Sequence, residues 1–215
     1  MEIFLLALGA SFVQRTTGFG FGIFIMTSLP FLMPSYGEAT ALSGLLALTT
    51  SCFAAWKYRR MVTWKRLIPI LSVFLVISSV AIYMLARIQD DMLRKTLGVV
   101  LIFVSIYFAF FSHKIRFGTT LPYQLGAGTI SGLMGGFFGM HGPPAVLYFI
   151  SSEPDKEHYM GMIQTYAVIS NSMMTLVRAS NGFITEAVGK SYILCLAAVV
   201  IGAGIGGWAF NRIPG

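Results

Sequence analysis

The segments QRTTGFGFG (residues 14–22) and GGFFGMHGPP (residues 135–144) each interrupt a long stretch that carries almost no charge. Residues 3–37 contain one charge, Arg15, and residues 117–152 contain none apart from a protonated His141. At 35 and 36 residues, both stretches are too long for one plain transmembrane helix. Glycine costs about 1 kcal/mol and proline about 3 kcal/mol in a helix interior. Each stretch therefore predicts two half-helices joined by irregular backbone.

The remaining charges border five shorter runs. These uncharged runs are 39–56, 67–86, 96–112, 159–177 and 191–211. About 20 apolar residues span the hydrocarbon core of a bilayer. Charged residues make up 11% of the chain and hydrophobic residues 56%, where soluble domains have about 25% and about 45–50%. The composition predicts an all-α polytopic membrane protein and excludes a soluble enzyme, a disordered tail and, despite the net charge of +7, a nucleic-acid reader.

The chain is expected to consist of two related repeats, 1–116 and 117–215, within one integral membrane domain. At a shift of 119 residues, Gly9 matches Gly128, Phe19-Gly20 matches Phe138-Gly139, and Glu38 matches Glu157. With a small drift, Thr63 matches Thr185 and Arg87-Ile88 matches Arg212-Ile213. The second repeat has no counterpart of run 96–112, so either the chain is truncated or its natural form lacks that helix.

The orientation is predicted from the basic loop 57–66, which the positive-inside rule places in the cytoplasm. The N-terminus lacks the basic region of a cleaved signal and is treated as mature protein. Lys and Arg divide nine inside to five outside whether the broken segments cross the membrane or re-enter it, so the rule does not choose between these topologies. We favour re-entrant hairpins, which would give inverted repeats, because each stretch supplies two halves of about 12 residues, too short to span singly.

Both interruptions are candidates for a transport site. Irregular backbone at membrane depth is tolerated only where protein buries it or where it lines a water-filled cavity. Broken helices in corresponding positions of two repeats mark the binding sites of many carriers. Half-helices that begin near Phe21 and Pro143 would each present free N–H groups and partial positive charge. Two such ends facing one cavity would bind an anion.

Arg15 strengthens the prediction of an anion. It is taken as the only charged residue inside a membrane segment, since all others border the predicted spans or lie in loops and ends. Arginine at mid-membrane costs at least about 2.5–3.5 kcal/mol and normally has a partner. No Asp or Glu lies within a predicted span, so the missing counter-ion can be the substrate. The alternative is that Arg15 snorkels or bonds helix-end carbonyls.

Two polar side chains join this hypothesis, each with a structural alternative. His141 can donate to an anion or carry a coupling proton, or it can be a packed neutral histidine. Asn171 shares a helix face with Gln164 and can line the cavity, or both can be interhelical hydrogen-bonding residues. The glycines at a spacing of four, Gly128, Gly132 and Gly136, and separately Gly202 and Gly206, favour close helix packing. Cys52 and Cys195 are expected to be packing residues, and no metal or organic cofactor is expected.

QRTTGFGFG followed by GGFFGMHGPPAVLYF (residues 135–149) resembles the TauE/SafE sulfite exporter family, also called toluene-sulfonate uptake permeases. The resemblance covers nearly the whole chain, which departs from the family in its missing last helix. It implies a secondary carrier of sulfite, sulfonates or related organic anions in a bacterial inner membrane. The motif positions that it implies as the site are Gln14, Gly18, Phe19, Gly20, Gly136, Gly139, Gly142 and Pro143.

The complete candidate substrate-binding set adds residues from the patches and from run 159–177. It comprises Gln14, Arg15, Thr16, Thr17, Gly18, Phe19, Gly20, Gly136, Phe138, Gly139, His141, Gly142, Pro143 and Asn171. The expected partners are a small anion and the bilayer. Coupling to protons or ions and association into a homo-oligomer are left open.

Three other functions remain open alternatives. An anion channel also uses broken helices, and a truncated second repeat would suit a non-transporting membrane scaffold. An intramembrane hydrolase would use Ser131 and His141, but the sequence GTISG (residues 128–132) lacks the G-x-S-x-G elbow. The favoured function is export of a small sulfur-containing anion by alternating access.

Overall fold

The computed structural model describes residues 1–110, 118, 120–153 and 155–212, and within these residues the regular structure is helical. The ten α-helices of the described chain are α1 (Glu2–Thr17), α2 (Phe21–Met26), α3 (Leu29–Leu32), α4 (Tyr36–Tyr58), α5 (Trp64–Leu85), α6 (Asp90–Phe110), α7 (Leu121–Phe138), α8 (Gly142–Ser152), α9 (Lys156–Ser180) and α10 (Glu186–Arg212). The predicted repeat boundary at 116/117 and the match to Ile213 lie outside the described residues.

Four helices of the described chain are long and apolar enough to cross a membrane. They are α4 with the 3₁₀ turn that follows it, α5, α6 and α10. The prediction of an all-helical polytopic membrane protein is thereby confirmed. Run 159–177 lies within α9, which has 25 residues but is less apolar than these four. Gln164, Ser170, Asn171 and Arg178 of α9 are buried, and α9 packs along α4.

The first broken segment folds back on itself. Gly18 and Gly20 separate α1 from α2 and adopt the left-handed conformation, with φ of 88° and 93°, which side chains other than glycine rarely tolerate. A Cβ atom at Gly20 would lie 3.1 Å from Cγ1 of Val13. One at Gly9 would lie 2.9 Å from Cε1 of Phe24, so α2 returns alongside α1.

The second broken segment has the same form. Gly139, with φ of 67°, ends α7, and α8 starts after it with proline in its first turn. Nε2 of Gln124 donates to the hydroxyl of Tyr148 at 2.8 Å, which places α8 beside α7. Both segments are thus helical hairpins, and their re-entry into the membrane stays a prediction. Their first halves, with 16 and 18 residues, are longer than predicted, whereas α8 has 11.

Glycines let the two hairpins approach their neighbouring helices closely. On α7, a Cβ atom at Gly128 would lie 2.6 Å from the carbonyl oxygen of Ile70 in α5, and one at Gly132 would lie 2.8 Å from Cβ of Ile77. On α10, a Cβ atom at Gly206 would lie 2.8 Å from the carbonyl oxygen of Phe12 in α1. The predicted packing role of these glycines is confirmed. Each hairpin packs on a long helix from the other half of the chain. Two related repeats would produce this reciprocal packing. The repeats themselves stay a prediction.

The contact between α5 and α7 can be tested with two glycines of one helix. We expect Gly128→Ala to lower the thermal unfolding midpoint in detergent, because overpacking against backbone costs about 1–3 kcal/mol. Gly126 lies on the same helix with nothing within 4 Å of an added Cβ. Gly126→Ala should therefore leave the midpoint unchanged or raise it, since alanine favours a helix by about 1 kcal/mol. Equal midpoints for the two variants would contradict this packing.

Candidate functional site

The two glycine-rich breaks are in direct contact. A Cβ atom at Gly22, in the first turn of α2, would lie 2.5 Å from the carbonyl oxygen of Gly139 and 3.1 Å from Cα of Met140. One at Gly142 would lie 3.4 Å from Cβ of Phe19. Two patches that are 119 residues apart in sequence therefore meet at one place.

A cavity of about 30 Å³ lies at this meeting point. It is lined by Gln14, residues 18–23, Ala47, residues 139–143, Ile163, Ala167 and Asn171. A cavity needs a volume of about 10–15 Å³ to hold one water molecule. This cavity therefore holds one or two waters rather than an oxyanion with several heavy atoms. The walls come from both hairpins and from the central helices α4 and α9.

Hydrogen bonds fix the first hairpin to the central helices. Nε2 of Gln14 donates to Oγ of Ser51 on α4 at 2.6 Å. Nε2 of Gln164 on α9 donates to the carbonyl oxygen of Gly18 at 2.9 Å, which satisfies a backbone acceptor at the left-handed turn. Gln164 thus has a structural role, one of the two alternatives for this residue.

Several polar side chains at the cavity are buried and incompletely paired. His141, Gln14 and Asn171 are 8%, 3% and 1% exposed. Within the described chain, Nδ1 of His141, Oε1 of Gln14 and Nδ2 of Asn171 have no hydrogen-bond partner. An unpaired buried polar group costs about 1–3 kcal/mol. These three atoms give the cavity an unused capacity for hydrogen bonding.

The helix N-termini are unequal, which revises the expectation of two similar anion-binding ends. α8 has 11 residues, with His141 at its N-cap and Pro143 in its first turn. Its free N–H groups therefore carry the partial positive charge of a helix N-terminus. α2 has only six residues. A helix this short sums few peptide dipoles, and the electrostatic contribution of a helix terminus at this cavity rests on α8.

The predicted site residues divide into two groups. Those that line the cavity are Gln14, Gly18, Phe19, Gly20, Gly139, His141, Gly142, Pro143 and Asn171. Those that do not line it are Arg15, Thr16, Thr17, Gly136 and Phe138. The hydroxyls of Thr16 and Thr17 donate to the carbonyl oxygen of Val13 at 2.9 Å. Gly136 packs on Ser78 and Ala81 of α5, and Phe138 faces α6.

Arg15 points towards α10. A Cβ atom at Gly206 would lie 2.8 Å from Cβ of Arg15, and one at Gly207 would lie 3.2 Å from its Nε. Its neighbour Gln14 lines the cavity, whereas Arg15, one residue further along α1, lies on a different face of the helix. The structure therefore does not bring Arg15 to the meeting point of the breaks.

Arg178, which borders run 159–177 in the sequence, is a buried arginine that the sequence analysis did not include among the candidate site residues. The helix α9 continues to Ser180, and Arg178 is 0% exposed. Its Nη2 donates to the carbonyl oxygens of Gly135 at 2.9 Å and Gly136 at 3.5 Å. A sequence signal existed: Gln164, Asn171 and Arg178 follow one another at a spacing of seven, which places them on one helix face.

Chemically, this arrangement can donate hydrogen bonds to an anion. None of the described residues that line the cavity is an acid, and no cluster of metal-ligating side chains occurs in the described chain. Ser131 is fully buried. The site offers an imidazole, amide groups and the N-terminus of α8.

Comparison with known proteins gives one family. Residues 3–215 match the family described as Sulfite exporter TauE/SafE, which is essentially the whole chain. No curated protein and no solved structure matches significantly. The resemblance that the two glycine-rich motifs predicted is confirmed.

The contact between the two breaks can be tested by adding one methyl group on either side. Gly22→Ala should lower the thermal unfolding midpoint, because its Cβ would meet the Gly139 backbone at 2.5 Å and force the hairpins apart. Gly142→Ala is the matched control, since its Cβ would make an ordinary 3.4 Å contact with Phe19. If Gly22→Ala is as stable as Gly142→Ala, the two breaks do not touch.

Proposed function

We propose that this chain, which belongs to the TauE/SafE family, is a secondary carrier that exports sulfite or a small organosulfonate across a bacterial inner membrane. The family is a transporter family, and membership implies a membrane exporter of sulfite or a related sulfur anion. The observation that carries the proposal is the set of buried, unpartnered polar atoms where the two hairpins meet. With basic loop 57–66 in the cytoplasm, export runs away from that loop.

Hydrogen-bonding capacity supports the choice of an oxyanion. The oxygens of sulfite or a sulfonate accept hydrogen bonds, and Nδ2 of Asn171 and the N–H groups of α8 are donors. The tautomer of His141 that is protonated on Nδ1 adds another donor. Binding of the anion would therefore satisfy groups that are left unpaired in its absence, and this difference favours the loaded state.

Electrostatics supports the sign of the substrate. The described lining contains no Asp or Glu, so no fixed negative charge opposes an anion. The N-terminus of α8 contributes about half a positive charge at this buried place. A cation at the same place would be repelled by the partial positive charge of the α8 N-terminus. The side chains of Gln14, His141 and Asn171 would not offset this repulsion, because all three are neutral when His141 is deprotonated.

The size of the cavity favours a carrier over an open channel. At about 30 Å³, it does not admit an oxyanion of several heavy atoms without movement of its walls. The walls belong to two hairpins, each packed on a long helix of the other half of the chain, and to the central pair α4 and α9. Rocking of the hairpin units against the central pair would open the cavity to either side in turn. His141, the titratable residue of the described lining, is the candidate for proton coupling.

The assignment of the site predicts a strong effect of a carboxylate at position 171. Asn171→Asp keeps the shape of the side chain but places a negative charge against the substrate, so we expect sulfite efflux from proteoliposomes to fall at least about tenfold. Asn171→Ser, which removes the amide without adding charge, should retain more flux. Gln89→Glu makes the same amide-to-acid exchange at an exposed position before α6 and should leave efflux unchanged.

The alternatives give different results in the same assay. Wild-type flux that rises linearly with sulfite, without saturation or counter-flow, would indicate a channel. No flux, together with no anion-dependent shift of the unfolding midpoint, would indicate a non-transporting scaffold. Wild-type levels of efflux in Asn171→Asp would overturn the assignment of the site to this cavity.

A further inference from the structure

Arg178 is a buried cation without a counter-ion in the described part of the chain. It is 0% exposed, and the ion pairs of the described residues do not include it. Its hydrogen bonds run from Nη2 to the carbonyl oxygens of Gly135 and Gly136 at the end of α7. Nε and Nη1 have no partner among the described residues. Two of the three nitrogen atoms of the guanidinium are therefore unused.

The carbonyl oxygens at the end of α7 compensate this charge only in part. The C-terminus of a helix carries about half a negative charge, against the full positive charge of the guanidinium. A buried charge that remains unpaired is strongly unfavourable, which is why buried arginines normally have an acidic partner. Arg178 thus has room, in charge and in donors, for one anion.

Arg178 adjoins the cavity wall on α9. A Cβ atom at Gly44 of α4 would lie 3.2 Å from Nη1 of Arg178 and 3.8 Å from both Oδ1 of Asn171 and Oγ1 of Thr175. One small volume is therefore bordered by the free end of the guanidinium and by Asn171, which also lines the cavity. Asn171, Thr175 and Arg178 lie on one face of α9, and each has an unpartnered polar atom in the described chain.

Arg178 also adjoins the cavity wall at the second break. The carbonyl oxygen of Gly135 accepts from Arg178, while a Cβ atom at the same glycine would lie 2.9 Å from Cβ of His141. His141 lines the cavity. Arg178 and His141, which is cationic when it is protonated, therefore both lie against Gly135.

We propose that Arg178 supplies the counter-charge of the transported oxyanion, at a second position reached from the cavity past Asn171 and Thr175. This inference rests on the proposed function and replaces Arg15 by Arg178 as the residue that neutralises the substrate. At this position the anion takes hydrogen bonds from Nη1 or Nε, which are free, while Nη2 holds the end of α7. A dianion such as sulfite gains most, because it meets a full positive charge at a buried position.

The first test removes the charge. In Arg178→Gln, we expect the shift of the unfolding midpoint on addition of sulfite to disappear and the KM for sulfite efflux to rise at least about tenfold. The midpoint without sulfite should not fall, because the exchange removes an unpaired buried charge. A lower midpoint without sulfite, combined with an undiminished sulfite shift, would show that Arg178 only caps α7 and would overturn the proposal.

The second test keeps Arg178 and fills the place of the anion. Gly44→Asp puts a carboxylate beside Nη1, where the guanidinium end can move to make room for the 3.2 Å contact. We expect the midpoint without sulfite to rise and the sulfite shift to vanish, because the internal carboxylate takes over the charge. Gly44→Asn has the same shape without the charge and should keep a larger sulfite shift. Equal sulfite shifts in the two variants would overturn the proposal.

Three further samples separate this inference from the proposed function. Arg87→Gln removes an exposed arginine and should behave as the wild type. A sulfite shift that is lost in Arg15→Gln and kept in Arg178→Gln would return the role to Arg15. A wild-type protein that shows neither flux nor a midpoint shift with sulfite, sulfate, thiosulfate or methanesulfonate would overturn the proposed function and this inference together.

Discussion

The fold depends on one constraint: backbone that is not helical must be covered by protein when it lies within a membrane segment. The two glycine-rich breaks of this chain cover each other in this way, with Gly22 against Gly139 and Gly142 against Phe19. At Gly22 a side chain would collide with the Gly139 backbone, and the left-handed turns at Gly18 and Gly139 favour glycine. The place where the chain is least regular is therefore also the place where its two halves meet.

The position of the polar residues follows from that meeting. The helices α4, α5, α6 and α10 are apolar enough to contact lipid, whereas α9 is not and packs inside against α4. Its polar face bears Gln164, which pairs with the first break, then Asn171 at the cavity, and then Arg178 at the end of α7. One helix thus links both hairpins, and α4 and α5 provide most of the packing around its polar face.

Much of this architecture could be predicted from residue types. Runs without charge predict the spans, glycine and proline predict the breaks, and glycines at a spacing of four predict close helix packing. Which helices those glycines contact, α5 for α7 and α1 for α10, came only from the structure. The direction of Arg15 could not be predicted, because a one-residue step around α1 separates the cavity from α10. Arg178 was missed for a different reason: a charge near the end of an apolar run resembles a loop residue, and only burial shows otherwise.

Arg178 contacts the end of a helix and, in our proposal, also binds the anion. The carbonyl oxygens of Gly135 and Gly136 belong to the last turn of α7, directly before the left-handed turn at Gly139. In the proposed complex, the oxyanion binds Nη1 or Nε while Nη2 stays on these carbonyl oxygens, so the anion and the end of α7 share one guanidinium. Linkage then requires that binding of the anion and the position of α7 influence each other to the same extent. Substrate charge and the position of the second hairpin would be coupled through this one side chain.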